Sequence, residues 1–181
     1  MPLFTDKFFM KIPFIIAFLL CVFCGAAFAQ QTLDASSDAA LAESFQKMAF
    51  SLNPDERQDL SNASAILMYY GSKNGFSEVK MRKIFHGKTA RELVEAALKV
   101  CPFAKDETLK INSKTPADFS KSYAELLMNL PLKKQRALSS AISQALLTGQ
   151  TSGRQYIEIL AEFYGKTADE IIAQFGGKLP F

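Results

Sequence analysis

Two short segments of the chain have residue types that could bind a phosphate, Gly87-Lys88-Thr89 and Gly165-Lys166-Thr167. A phosphate-binding loop of this kind needs a further glycine five residues earlier and a β-strand before the loop. Arg82 and Leu160 occupy the two positions where that glycine would stand, and both lie in segments whose spacing predicts helices. We therefore expect no nucleotide or other cofactor at either segment.

Metal binding and nucleophilic catalysis would depend on very few residues. His86 is the single histidine, and the cysteines are Cys21, Cys24 and Cys101. These residues lack the paired Cys/His spacing of a zinc site, and no serine lies in a Gly-x-Ser-x-Gly elbow. We predict no metal site and no catalytic residue. We interpret His86 as a surface group at a helix end and Cys101 as a half-buried small hydrophobic residue, with a reactive thiol as the alternative.

Charged side chains offer two further possibilities. Paired carboxylates could support hydrolysis of an envelope polymer, and a basic stretch could contact anionic lipid or cell-wall polymer. We interpret both sets as solvated helix faces, but a carboxylate-dependent hydrolase remains an alternative function. The formal net charge of +3 is too small a basic excess to indicate nucleic acid as a partner. The acids are Asp55, Glu56, Glu92 and Glu95, and the basic residues are Lys80, Arg82, Lys83, Lys88 and Arg91.

The N-terminal segment is typical of a secretory signal. Lys7 and Lys11 precede an apolar run over residues 12–28, which ends in Ala27-Phe28-Ala29. Small residues at positions −3 and −1 predict cleavage after Ala29. Export to the periplasm of a Gram-negative-type bacterium follows from this interpretation. A retained leader that tethers a structural protein to the membrane is the alternative.

Two details of that segment bear on the mature chain. Leu20 and Phe23 precede Cys21 and Cys24, so neither cysteine follows the small residue that lipid acylation needs. Cleavage would leave Cys101 without an internal disulfide partner, and the fold must then be stable from packing alone. The start at Met1 and a start at Met10 are both compatible with this pattern.

The rest of the chain contains a repeat. When the sequence is shifted by 78 residues, Leu33–Ala97 aligns without a gap on Ile111–Phe175, and 14 of the 65 positions are identical. The identities include Leu60-Ser61 with Leu138-Ser139, and both Gly-Lys-Thr-Ala-x-Glu segments. Unrelated chains would match at roughly one position in sixteen. The alignment therefore predicts a duplicated unit.

Apolar spacing predicts four helices in each unit. In the first unit they span about Asp38 to Phe50, Asn53-Pro54 to Gly71, Ser77 to His86, and a segment that begins after Thr89. In the second unit, Thr115-Pro116 opens the first helix, Gly149 ends the second, and Arg154–Tyr164 forms the third. Lys133 and Lys134 oppose the helix dipole in the second helix, so that helix begins earlier, near Asn129, or the lysines make other contacts.

The fourth helix of each unit has the clearest local signals. Gly87 and Gly165 are placed to take the left-handed position that ends the third helix. Thr89 and Thr167 then serve as N-caps, and Glu92 and Glu170 follow at the spacing of a capping box. We predict these six residues to be structural caps.

Taken together, these patterns predict an all-α protein of two tandem four-helix units, packed together about a pseudo-two-fold axis. The expected organisation is a signal peptide over 1–29, a first repeat over 30–100, a linker over 101–110 and a second repeat over 111–181. We expect a non-catalytic binding or interaction module whose partner is a protein or envelope component. A membrane would be a partner only if the leader is retained.

Three segments of the first unit also resemble a known family. They are Leu33-Asp34-Ala35-Ser36-Ser37, Ser51-Leu52-Asn53-Pro54-Asp55-Glu56 and Gly87-Lys88-Thr89-Ala90. In these segments the chain resembles a family of small uncharacterised bacterial exported proteins, usually lipoprotein-like with a single helical domain. The resemblance implies that helical fold and no catalytic residues. This chain departs from the pattern by its second copy and its poor acylation context.

Overall fold

The computed structural model describes residues 31–102 and 108–176. Within these ranges the chain forms helices and no β-strand, and the one extended pairing is an isolated bridge between Lys110 and Thr167. The predicted all-α class is confirmed. The helices are α1 (Asp38–Ser51), α2 (Pro54–Lys73), α3 (Glu78–Phe85), α4 (Ala90–Val100), α5 (Pro116–Asn129), α6 (Leu132–Thr151), α7 (Tyr156–Ala161) and α8 (Ala168–Phe175).

Side-chain caps explain where several helices begin. The hydroxyl of Ser37 accepts a hydrogen bond from the backbone N–H of Ala40 at the start of α1. At the start of α2, Asn53 and Glu56 form a reciprocal capping box around Pro54. Each such contact satisfies a backbone N–H that has no partner inside the helix. Local sequence therefore determines these helix starts.

The second helix of each unit does not end at its glycine, in contrast to the prediction from the sequence. α2 continues past Gly71 to Lys73, and α6 continues past Gly149 to Thr151. Both glycines are buried, and a Cβ on either would collide with the third helix of the same unit, at Met81 and Ile159 respectively. The glycines are needed for close helix packing.

A second pair of glycines lies at the turn where the chain reverses after these helices. Gly75 has φ 63° and Gly153 has φ 79°, a backbone conformation that residues with a Cβ adopt rarely. The residue type expected at the turn is therefore correct, but the turn lies four residues further along the chain.

The third helices are also shorter than predicted. α3 lacks the two end residues of the predicted span, Ser77 and His86, and α7 covers only Tyr156–Ala161 of Arg154–Tyr164. Residues 162–165 of the second unit form turns instead. The helix with the two lysines begins at Leu132 and not near Asn129. Of the two, Lys134 makes another contact, since its Nζ donates to Asp169 Oδ2 at 2.8 Å.

One backbone contact closes each half of the chain. The N–H of Leu33 donates to the carbonyl of Lys88 at 2.9 Å, and the N–H of Gly87 donates back to the carbonyl of Leu33 at 2.8 Å. Ile111 makes the same two bonds, with Lys166 at 2.9 Å and Gly165 at 2.8 Å. The segment before each first helix is thus fastened to the corner before each fourth helix.

A second contact recurs with different residue types. Arg57 donates to the carbonyls of Ala49 and Leu52, at 2.8 and 3.0 Å. Gln135, which is 78 residues later, donates to the carbonyls of Leu127 and Leu130, at 2.8 and 2.9 Å. Both side chains satisfy carbonyls at the end of the preceding helix, which have no partner within it.

The longest helices form the centre of the fold. α2 packs against α4, and α6 packs in the same way against α8. α2 also packs against both α5 and α6, so it lies at the centre of the described part of the chain. The largest fully buried side chains come from both halves: Leu33, Met48, Leu60, Ile66, Leu93, Ile111, Leu127, Leu138, Ile159, Leu160, Phe163 and Ile171.

Candidate functional site

Buried polar side chains are concentrated where α2 meets α5 and α6. Asp59 and Asn62 lie on α2 and are 8% and 1% exposed, and Ser139 on α6 is 1% exposed. Tyr123 reaches them from α5, and Arg136 reaches them from α6. We call this group of five residues the polar seam. It is the candidate site because buried polar groups require partners, and here the partners come from opposite halves of the chain.

An ion pair forms one end of the seam. Arg136 donates to both carboxylate oxygens of Asp59, from Nε at 2.7 Å and from Nη2 at 2.6 Å. Its third nitrogen, Nη1, donates to Asp55 at 3.2 Å. The hydrogen bond to Asp59 raises the pKa of the Arg136 guanidinium. This paired geometry is the strongest form of arginine–carboxylate contact and fixes the direction of both side chains.

A chain of hydroxyl groups forms the other end. The oxygens of Tyr123 and Ser139 are 2.5 Å apart, and Ser139 Oγ is 2.7 Å from Asn62 Oδ1 and 2.9 Å from the carbonyl of Gln135. The amide oxygen of Asn62 and the carbonyl of Gln135 can only accept, so the hydroxyl proton of Ser139 is directed to them. Tyr123 is therefore the donor to Ser139. Burial raises the pKa of Tyr123 to about 12, which keeps this proton on the phenol at neutral pH.

This arrangement does not activate Ser139 as a nucleophile. A reactive serine needs a base that accepts its proton, whereas Ser139 faces an amide oxygen, a backbone carbonyl and a protonated phenol. One buried donor of the seam, Nδ2 of Asn62, has no hydrogen-bond partner. Such a group weakens an interface by about 1–3 kcal/mol. The seam therefore serves to join and orient the helices.

The six predicted cap residues lie at the two corners of the fold, away from the seam residues along the chain. Gly87 and Gly165 both have φ 72°. Thr89 accepts from the N–H of Glu92 at 3.2 Å, and the N–H of Thr89 donates to the Glu92 carboxylate at 2.9 Å. Thr167 and Glu170 make the same pair of bonds, at 3.3 and 2.7 Å. Each corner thus has its own capping box.

These bonds also affect the two glutamates. The hydrogen bond from the backbone N–H of Thr89 lowers the pKa of Glu92, and the equivalent bond from Thr167 lowers the pKa of Glu170.

Each Gly-Lys-Thr segment lies between two helices. Arg82 and Leu160, which stand where a phosphate-binding loop would have its first glycine, belong to α3 and α7. The geometry at both corners is that of a helix start.

His86 lies at the end of α3 and serves a local role. Its Nδ1 accepts a hydrogen bond from the backbone N–H of Ala35 at 3.1 Å, so the ring proton of the neutral form is on Nε2. Cys101 is more buried than expected, with 8% of its surface exposed. Burial raises the pKa of its thiol to about 11, and a thiol that stays protonated at neutral pH is a poor nucleophile.

The basic residues between positions 80 and 91 do not form one cationic site. Arg82 pairs with Asp38 and Glu78 at 2.9 and 2.6 Å. Lys88 pairs with Glu92, and Arg91 pairs with Glu95. Most of this charge is neutralised by acids of the same surface, which agrees with its interpretation as a solvated face.

No sequence pattern singles out the seam. Its residues are scattered along different helices, and the proximity of Asp59 and Arg136 depends on how α2 crosses α6. One signal is present in the predicted repeat: Asp59 aligns with Ala137, and Arg136 aligns with Gln58. Opposite charges that interrupt a repeat at adjacent positions are candidates for a contact between its copies.

The described ranges hold neither a metal cluster nor a membrane-spanning helix. Residues 31–102 and 108–176 contain no group of three or more His, Cys, Asp or Glu side chains that could hold a metal ion. No helix within these residues is both long and apolar enough to cross a membrane. The predicted signal peptide, with Cys21 and Cys24, lies outside the described residues.

Comparison with known proteins gives a family and no function. The chain belongs to a family of unknown function, DUF6694, whose model matches residues 13–104. This confirms membership in an uncharacterised family, and the matched region covers the predicted first unit. No curated protein and no solved structure matches the chain.

Proposed function

We propose that the protein is an exported, non-catalytic interaction module built from two copies of one helical unit. The observation that carries the proposal is an exposed aliphatic residue at the same place in both copies. Val79 on α3 is 64% exposed, and Ile157 on α7, 78 residues later, is 45% exposed. A single exposed aliphatic residue is ordinary. Its recurrence on the same helix of two diverged copies favours a contact surface for a partner.

The duplication is supported by contacts that the sequence alignment does not contain. The backbone bonds of Leu33 and Ile111, the carbonyl contacts of Arg57 and Gln135, and the buried glycines of α2 and α6 all recur at a separation of 78 residues. A pseudo-two-fold relation would place α2 and α6 beside each other. Superposition of the two units in an experimental structure tests this relation directly.

Export rests on the N-terminal pattern alone. Mass spectrometry of the protein isolated from its native host would identify the first residue. Gln30 is expected for a cleaved leader, whereas Met1 or Met10 would indicate a retained leader and a membrane-tethered protein.

The partner surface can be tested by site-specific crosslinking. A photoreactive amino acid is placed at Val79 or Ile157 in the full chain, expressed in cells and irradiated. Leu147 on α6 is the matched control, because it is 48% exposed while its counterpart Tyr69 is only 9% exposed. We expect the same crosslinked partner from positions 79 and 157 and none from position 147.

Two results would contradict the proposal. One is equal crosslinking from all three positions, which would indicate contacts without a preferred surface. The other is an absence of any partner together with measurable turnover on a panel of envelope polymers, which would favour the carboxylate-dependent hydrolase. Of the carboxylates considered for that alternative, Asp55 pairs with Arg136, Glu92 completes a capping box and Glu95 pairs with Arg91.

A further inference from the structure

The starts of α2 and α6 have opposite charge. Residues 55–59 contain three acids and one arginine, whereas the equivalent residues 133–137 contain two lysines and one arginine and no acid. The difference falls where the two helices approach each other.

Some of these charges are engaged within their own unit. Glu56 completes the capping box of α2 with Asn53, and Lys134 pairs with Asp169 on α8. Three of the remaining charges join the units: Arg136 binds Asp59 through two nitrogens and Asp55 through the third. Because Asp59 is only 8% exposed, water can replace this arginine as its partner only in part.

Pairing of two like units would remove this contact. In a pair of first units, Gln58 would stand where Arg136 stands, and Asp59 would keep its charge without a cation. In a pair of second units, Ala137 would stand where Asp59 stands, and two copies of Arg136 would lie close together. A buried charge without its partner is strongly destabilising, and like charges in an interface suppress the wrong pairing.

We propose that the α2–α6 interface is a recognition surface specific for the unlike unit: the acidic start of α2 in the first unit accepts the basic start of α6 in the second unit and rejects a copy of itself. The inference rests on the proposed duplication. The charges of Asp59 and Arg136 determine which half pairs with which, while the neighbouring Leu60 and Leu138 are buried alike in both halves.

Four full-length mature chains test this recognition. The first is the native chain. The second, with Arg136→Gln and Ala137→Asp, has a carboxylate at both positions 59 and 137 and an arginine at neither 58 nor 136. The third, with Gln58→Arg and Asp59→Ala, has an arginine at both positions 58 and 136 and a carboxylate at neither 59 nor 137. We call these two chains like-charged. The fourth combines all four substitutions and exchanges the charges between the halves.

The expected result is a pattern of thermal midpoints. Both like-charged chains should melt roughly 5–15 °C below the native chain. The exchanged chain should recover most of that loss, because a two-fold relation would bring the carboxylate introduced at position 137 against the guanidinium introduced at position 58. The matched control is Lys83→Ala with Ala161→Lys, an exchange of a charged and an uncharged residue between equivalent exposed positions, which should leave the midpoint nearly unchanged.

If a like-charged chain does not fold, its single substitutions Asp59→Ala or Arg136→Gln take its place in the same comparison. Native-like midpoints for both like-charged chains would overturn the proposed recognition and leave the duplication standing. A different failure is an exchanged chain whose thermal midpoint stays low while the midpoint of Asp59→Arg with Arg136→Asp returns toward the native value. That result would show that the pair matters but that the two units are not equivalent, which contradicts the duplication as well.

Discussion

The two corners and the polar seam differ in how similar the two halves of this chain are. At the corners, Gly87-Lys88-Thr89 and Gly165-Lys166-Thr167 keep the same residues and the same bonds, within a few tenths of an ångström. At the seam, the aligned positions differ, because Asp59 aligns with Ala137 and Arg136 aligns with Gln58. The corners are therefore alike in the two halves of the chain, and the ion pair that joins the halves has no second copy at the aligned positions.

The largest expected effect on stability comes from removing one partner of the ion pair in the seam. Arg136→Ala leaves the buried carboxylate of Asp59 without its cation and should destabilise the fold by about 2–4 kcal/mol, a range that allows for the partial exposure of the arginine. Gln58→Ala, at the equivalent position, should cost less than about 1 kcal/mol. Urea unfolding of both variants measures the difference, and equal losses would remove the distinction between the two positions.

The buried glycines of the second helices offer a finer comparison. In Gly149→Ala the new Cβ would lie 2.5 Å from Ile159 Cδ1 and 2.6 Å from Cγ1. The branched isoleucine can move little, so we expect a loss of about 1–3 kcal/mol. In Gly71→Ala the obstacle is the flexible end of Met81, and the better helix propensity of alanine offsets part of the strain. Thermal melts should give a higher midpoint for Gly71→Ala than for Gly149→Ala, and the reverse order would contradict this account.

The corners should respond alike, since their geometry is alike. Thr89→Ala and Thr167→Ala each remove one N-cap and should each lower the free energy of unfolding by roughly 0.5–2 kcal/mol. Thr89→Ser and Thr167→Ser, which keep the hydroxyl, are the controls. Unchanged melting midpoints in both alanine variants would show that the caps contribute nothing to stability.

The smallest expected effect concerns pH. Because the folded-state pKa of Glu92 and Glu170 lies below the ordinary value of 4.5, their contribution to stability is present above that pH and is lost as the pH falls through the folded-state values. The double variant Glu92→Gln with Glu170→Gln should therefore lose less stability than the native chain between about pH 5 and about pH 3. Parallel acid-dependent melts check this, and identical slopes would count against the ionised capping boxes.

These two regions also differ in how far the sequence predicts them. The corners depend on residues within six positions of one another, so capping and glycine rules identify Gly87, Thr89 and Glu92 directly. The helix ends predicted at Gly71 and Gly149 are wrong because a glycine can end a helix or admit a neighbouring one, and only the position of Met81 and Ile159 distinguishes these roles. The seam depends on the crossing of α2 and α6, which no local rule provides.

The bonds that fasten Leu33 to Lys88 and Ile111 to Lys166 affect the order in which the chain can fold during synthesis. Leu33 leaves the ribosome long before its partner, so the first unit has nothing to close upon until its third helix and the following corner have emerged. A product that stops before Gly87 would carry a complete α1 and α2 with their apolar sides uncovered, which makes it a ready substrate for proteases and chaperones. Closure of the first half by these bonds therefore waits until Gly87 and Lys88 have been synthesised.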